Sequence, residues 1–251
     1  MGSVATKAAE GYVFPGVNIA IDGKNDDQIK LLKTDSEHYS IPYVHVKTAV
    51  LPRAIVFYSH GNAEDLHTVL DYLQDISKEL CVEVISYDYA GYGLHKTLDD
   101  VKPSEENVYA DANTVFAYVK KQGLPIIVWG RSLGSAPAIY VATKFQDEVS
   151  GLVVESGFRS IARVVSNTLH NIFDLFDNES FIIQQHNVPT LFVHGRQDHV
   201  VPFTHGERLY DLCACPKKNH FWLNDGHHND IESRFRDEVY IRLCGFFDQI
   251  I

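Results

Sequence analysis

No apolar stretch in the 251-residue chain approaches the roughly 18 residues that a membrane-spanning helix requires, so a soluble protein is expected. Basic residues are in the minority, 22 Lys and Arg against 33 Asp and Glu, and a formal charge of -11 without a basic cluster argues against a nucleic-acid surface. Cysteine is scarce. Cys81, Cys213, Cys215 and Cys244 fit no zinc-ligand spacing, and the apolar surroundings of Cys81 and Cys244 suit reduced core residues in a cytoplasmic protein. The 13 histidines show no H-E-x-x-H or similar chelating spacing, so neither a metal nor another cofactor is expected. A positively charged start followed by an apolar block is missing, which argues against a secretory signal. Internal repeats, low-complexity tracts and linker-like runs are missing too.

What is present is enough apolar material, 45% hydrophobic with 12% aromatic, for one large core. One domain over residues 1–251 is expected, with 1–27 as an amino-terminal extension. Met1-Gly2-Ser3-Val4-Ala5-Thr6 fits the M-G-x-x-x-[ST] pattern for myristoylation of Gly2, although Met-Gly-Ser also begins many recombinant chains. One such chain gives only marginal peripheral membrane contact, and Lys7 has no basic neighbours to strengthen it.

Along the chain, β-like runs at Ile29 to Lys33, Tyr43 to Lys47 and Arg53 to Tyr58 come first, and the last is continuously apolar, as a strand covered on both faces should be. Leu66, Val69, Leu70, Leu73, Ile76 and Leu80 share the face of a helix, and a strand runs from Cys81 to Ser86. A second helix starts near Pro103 and Ser104 and stops at Gly123. Further strands are expected at 125–130, Gly151 to Glu155, Pro189 to Val193 and, more weakly, Lys218 to Leu223, with a closing helix from Asp230. This alternation indicates an α/β fold with a mostly parallel central sheet and helices on both faces. Residues 156–188 form a short lid-like insertion, too small for a full cap domain, whose Phe158, Phe173, Phe176 and Phe181 either belong to the core or line an apolar pocket suited to an acyl chain.

The stretch from Pro125 to Ser135 organises the rest. An apolar run ending in Gly130-Arg131-Ser132-Leu133-Gly134 reads as a buried strand turning sharply into a helix, with Ser132 at the apex. A nucleophile on such an elbow needs neighbours without side chains, and the N–H of Leu133 at the helix start can stabilise an oxyanion. A serine hydroxyl needs a base and a carboxylate to orient that base. Asp198 follows the Pro189 strand, and His227 and His228 follow the last strand, so the order Ser, Asp, His expected of α/β-hydrolases is present. Spacing does not choose between the two histidines. Asp198 read alone would serve equally as a turn or capping residue. The turn His60-Gly61-Asn62-Ala63 offers the backbone N–H of Asn62 as the second oxyanion donor, or is simply a strand-to-helix turn.

Ser59-His60-Gly61-Asn62-Ala63-Glu64, Tyr87-Asp88-Tyr89-Ala90-Gly91-Tyr92-Gly93, Gly130 to Gly134, the Gly195 to Pro202 loop and His228-Asn229-Asp230-Ile231 resemble the Bem-type α/β-hydrolase-domain serine hydrolases, a group that includes membrane-tethered protein depalmitoylases. The resemblance runs from about Arg53 to the end of the chain. It implies an α/β-hydrolase fold, with Ser132 as nucleophile, Asp198 as orienting acid and His228 as base, since the family histidine directly precedes Asn-Asp. Two positions depart from the family. No cysteine precedes Cys81, where tethered members carry an acylated cysteine-rich segment, and His227 stands where many relatives have a small residue. A myristoyl group at Gly2 would substitute for the tether. The expected activity is hydrolysis of an ester or thioester through an acyl-enzyme, on an acylated protein or a small substrate. A carboxylesterase or serine peptidase is the alternative on the same triad, and a non-catalytic interaction protein the third.

Overall fold

The run Ile55–Ser59 forms strand β3 with all five side chains buried, as its unbroken apolar character requires. In this computed structural model the described residues are 14, 26–34, 39–98, 102–165 and 174–251. Among the described residues seven further strands join β3 in a single sheet: β1 (Lys30–Lys33), β2 (Ser40–Val46), β4 (Glu83–Tyr87), β5 (Ile126–Arg131), β6 (Gly151–Glu155), β7 (Thr190–Gly195) and β8 (Lys218–Leu223). Their order is β1-β2-β4-β3-β5-β6-β7-β8. The ladders β1 with β2 and β2 with β4 are antiparallel, and those from β4 onward to β8 are parallel. This is the α/β-hydrolase fold.

Alternation along β3 feeds two cores. Ile55 and Phe57 join a cluster with helices α3 (Glu105–Lys120), α4 (Ser135–Lys144) and α7 (Phe203–Leu212). Val56 and Tyr58 join one on the opposite face with α1 (Leu66–Leu80) and α9 (Arg236–Ile250). Fully burying a side chain such as Phe57 or Leu73 contributes about 1.5–3 kcal/mol each, so the paired cores dominate stability. Helix α1 begins with a reciprocal cap: Asp65 accepts from the Thr68 N–H at 2.9 Å, and Thr68 Oγ1 accepts from the Asp65 N–H at 2.9 Å. It ends at Cys81 with φ 52. Helix α3 is capped by Ser104, whose hydroxyl accepts from the Asn107 N–H.

The parallel register decides where the chain leaves the sheet. Ser59 pairs with Gly130, Arg131 with Glu155 and Gly195 with Leu223, so the loops leaving β3, β5, β6, β7 and β8 emerge along one rim.

Several boundaries differ from expectation. β2 starts at Ser40 because Pro42, which reads as a strand breaker, sits within the ladder opposite Leu31. The closing helix is broken at Phe235 (φ -111) into α8 (Ile231–Arg234) and α9. A short helix, α2 (Gly93–Leu98), occupies the end of the Tyr87 to Gly93 loop. Helix α7 carries too few buried apolar residues to announce itself, with only His205, Gly206 and Leu209 inside.

Within 156–188 the described residues hold α5 (Ile161–Val165) and α6 (Asn178–Ile182). Phe158 and Phe176 are core residues, 2% and 0% exposed, and Phe181 packs half-buried against Tyr109 and Tyr140. Phe173 and Gly2 lie outside the described residues. Among the described residues no helix is long and apolar enough to cross a membrane.

Candidate active site

The strand β5 ends at Arg131, and Ser132 follows with φ 52, a left-handed conformation that costs a residue with a side chain about 1–3 kcal/mol. The sharpness of the turn accounts for both glycines. A Cβ on Gly130 would lie 2.1 Å from the carbonyl oxygen of Gly134, and one on Gly134 would lie 1.9 Å from that of Ser59. The elbow is therefore pressed backbone to backbone against the end of β3. Leu133 lies in the first turn of the 3-10 segment Ser132–Gly134, where an N–H has no acceptor within its own helix.

Two loops bring the other partners. Gly195, at the end of β7, touches the backbone of Gly226, since a Cβ there would lie 2.2 Å from the Gly226 oxygen. The Gln197 N–H donates to that same oxygen at 2.9 Å, and the Arg196 N–H to Leu223 O at 2.8 Å. Laced together, the loops place His228 between Asp198 and the elbow. His228 Nδ1 is 2.7 Å from Asp198 Oδ2, and Nε2 is 3.0 Å from Ser132 Oγ. Asp198 and His228 are buried.

Electrostatics fix the proton positions. Burial raises the Asp198 carboxyl, but hydrogen bonds from His194 and His228 and from the Val201 N–H outweigh it and hold the group below the usual carboxylate range. An ionised carboxylate only accepts, so His228 Nδ1 donates to it and Nε2 presents its lone pair to the serine hydroxyl. His227 is turned aside. It is exposed, its Nδ1 donates to Gln197 O at 2.8 Å, and its N–H donates to Asp230 Oδ1.

Asn62 sits in a turn held from three directions. Glu64 Oε2 accepts from the Gly61 N–H at 2.6 Å, the Tyr89 hydroxyl donates to His60 O at 2.7 Å, and the Tyr92 hydroxyl donates to Asn62 Oδ1. This gives the Tyr87 to Gly93 motif a purpose, and Asp88 adds another by accepting from the Leu66 N–H at the start of α1. Burial pushes Asp88 up to about 7.

Sequence reasoning missed two residues. His194 Nε2 donates to Val201 O at 2.9 Å and lies 3.3 Å from Asp198 Oδ2, steadying that carboxylate. Its ring rests on Gly206, where a Cβ would come within 2.3 Å of Nδ1. The signal was a histidine at the end of an otherwise apolar strand. Arg131 is the second, 6% exposed beside Ser132. Among the described residues no group of three or more His, Cys, Asp or Glu is arranged to hold a metal ion.

Residues 51–178 match the family described as serine aminopeptidase, S33. Alpha/beta hydrolase domain-containing protein aho-3 of Caenorhabditis elegans is 34% identical over 200 residues, 77% of this chain and 57% of the relative. Putative alpha/beta hydrolase L404 of Acanthamoeba polyphaga mimivirus is 30% identical over 223 residues, 86% and 83% of the two. Human alpha/beta hydrolase domain-containing protein 17C is 31% identical over 193 residues, 74% and 56% of the two. The chain thus spans little more than half the length of the nematode and human relatives. Among solved structures, the ferulic acid-bound Est1E of Butyrivibrio proteoclasticus superposes with a TM-score of 0.71 at 17% identity, covering 88% of this chain and 98% of that one. A monoglyceride lipase variant of Saccharomyces cerevisiae gives 0.68 at 14%, covering 88% and 94%. At these identities the likeness concerns the fold.

Proposed function

The chain belongs to the α/β-hydrolase family matched over residues 51–178, and from that premise we propose that it is a serine hydrolase cleaving esters or thioesters through an acyl-enzyme. One observation carries the reading: the continuous path Ser132 Oγ to His228 Nε2 at 3.0 Å and His228 Nδ1 to Asp198 Oδ2 at 2.7 Å, with Ser132 half-buried on a strained elbow.

His228 takes the Ser132 proton as Oγ attacks the substrate carbonyl carbon, and the oxyanion that forms is held by the N–H groups of Leu133 and Asn62. The imidazolium, stabilised by Asp198, returns its proton to the departing thiolate or alkoxide as the bond to the leaving group breaks. Water then gives a proton to His228 and attacks the acyl carbon, and collapse releases the carboxylic acid and free Ser132.

Within this class the substrate is a fatty acyl thioester on a lipidated protein. Support comes from the Ser59 to Glu64, Gly130 to Gly134 and His228 to Ile231 motifs, which resemble those of the depalmitoylase-containing group. A myristoyl group on Gly2 would hold the enzyme at the membrane surface that carries such substrates. The family's description as a serine aminopeptidase favours a second reading, cleavage of peptide bonds by the same triad.

A fluorophosphonate probe should label the wild type and fail to label Ser132→Ala. Undiminished labelling of that variant would refute the assignment. A rise in kcat/KM from short to long acyl thioesters supports the thioesterase, whereas activity confined to amino-acyl anilides supports the peptidase.

A further inference from the structure

The proposed chemistry leaves Arg131 unused, although its guanidinium reaches the His228 loop directly and the Asn62 turn through Glu64. Nη1 donates to Glu64 Oε1 at 2.6 Å, and the other oxygen of Glu64 accepts from the Gly61 N–H at 2.6 Å. Nη2 donates to the carbonyl oxygen of His228 at 3.2 Å and to Asn229 Oδ1 at 3.0 Å. Nε faces Glu232 Oε1 at 2.9 Å, with Glu155 Oε1 further off at 4.0 Å. The backbone of Arg131 itself leads into Ser132.

We propose that Arg131 and Glu64 are positioning residues, a part-buried bridge that fixes the His228 loop and the turn carrying Asn62 at set distances from Ser132. The proposal rests on the hydrolase reading above. Its physical basis is the planar fork of the guanidinium, which holds several acceptors at fixed mutual angles where a lysine ammonium, a point charge on a flexible stem, cannot.

The surrounding charges agree with a pairing between Arg131 and Glu64. Burial pushes the Glu155 carboxyl up, against the pull of Arg131 and the hydrogen bond from Trp129 Nε1. Burial and the neighbouring Glu155 push Glu232 up to about 8. Both shifts oppose charge on Glu155 and Glu232, and it is Glu64 that joins Arg131 to the oxyanion turn by direct hydrogen bonds. Glu64 can do so because it has two accepting oxygens. A glutamine has one, so in Glu64→Gln either the Gly61 N–H or Arg131 Nη1 loses its acceptor. In Arg131→Lys the charge remains, but a single ammonium cannot reach Glu64 and the His228 carbonyl together.

The test compares Arg131→Lys, Glu64→Gln and a control, Arg236→Ala, which removes ion pairs from the start of α9 to Asp75 and Glu79 of α1 and a contact with the Tyr240 ring, none of them part of the bridge. Rates are measured on activated esters and normalised to the serine titrated by a fluorophosphonate, so that misfolded protein is not counted. In both test variants kcat per titrated serine should fall about 10- to 100-fold with KM changed less than about threefold, the pattern of a displaced base and oxyanion site. The double variant should fall no further than the worse single one, because both break one bridge. The downfield NMR proton shared by His228 and Asp198 should broaden or move upfield in both. The control should match the wild type.

A kcat per titrated serine within about twofold of wild type in Glu64→Gln overturns the proposal, as does a rise in KM alone or an unchanged downfield proton. If the wild type shows no Ser132-dependent labelling, the hydrolase reading fails on its own account. The proton signal then still decides whether Arg131 holds the histidine loop.

Discussion

Replacing Asp198 by Asn exchanges one oxygen for an amino group, and the surrounding bonds dictate which one. Oδ1 accepts from the N–H groups of Val200 at 2.9 Å and Val201 at 2.8 Å. Both partners can only donate, so the amide oxygen of Asn must stay there, and the NH2 takes the place of Oδ2. It then faces His228 Nδ1 at 2.7 Å and His194 Nε2 at 3.3 Å. Nδ1 is forced to accept, its proton moves to Nε2, and the Ser132 hydroxyl 3.0 Å away loses its base. In a serine-protease triad this change of tautomer lowers kcat about ten-thousand-fold, or about 5 kcal/mol in the barrier. His194 Nε2, already donating to Val201 O, would meet a second donor, which costs about 1–3 kcal/mol of stability.

Steady-state hydrolysis of an activated ester measures the first effect, and urea unfolding the second. The acid side gives a further check. The native Asp198 carboxyl titrates below its unfolded value of about 3.9, so its stabilising contribution is present above that value and is lost as pH falls below it. The stability gap between wild type and Asp198→Asn should therefore shrink from about pH 5 to about pH 3. A variant retaining activity within about tenfold of wild type would refute the tautomer argument.

Two further perturbations rest on close contacts and burial. In Gly134→Ala the new methyl group would lie 1.9 Å from Ser59 O and 2.7 Å from His60 O, both rigid backbone. We expect a loss of at least about 3 kcal/mol on urea unfolding, together with loss of fluorophosphonate labelling in whatever remains folded; a stable, labelled variant would contradict the crowding. Glu232 is raised in the folded state to about 8, so the stability it confers is full below its unfolded value of about 4.3 and is lost as pH rises through about 8. Glu232→Gln, which mimics the uncharged form, should show a shallower fall in Tm between about pH 5 and about pH 9 than wild type. Asp88 and Asp111, both raised to about 7 by burial, contribute equally to the two proteins, so parallel Tm curves would rule out the Glu232 contribution.

The elements that sequence reveals well are those whose signal is local. β3, β5, β6 and β7 are buried on both faces and read as short, mainly apolar runs. The glycines flanking Ser132 announce an elbow because a side chain at either position collides within a few residues or with the strand alongside. Pro42 misleads for the opposite reason. It contradicts its own strand locally yet sits in the ladder opposite Leu31, while helix α7 has few buried apolar residues to mark it and its Gly206 leaves room for the ring of His194. The aromatics after β6 left a choice between core and pocket that composition could not make; packing put Phe158 and Phe176 inside.

By itself the chain determined the period of each element, the order of serine, aspartate and histidine, and the sharpness of the turn at Ser132, because these depend on neighbours a few residues away. Spacing left His227 and His228 open and only the family resemblance pointed to His228; the tertiary structure shows the difference physically, turning one toward Asp198 and the other toward Gln197. It alone brought Arg131 to Glu64 across 67 residues and to Asn229 across 98. Such distances are set by strand order and by the crossing of the Gly195 and Gly226 loops, and no local pattern records which loops will share a rim once the sheet has closed around them.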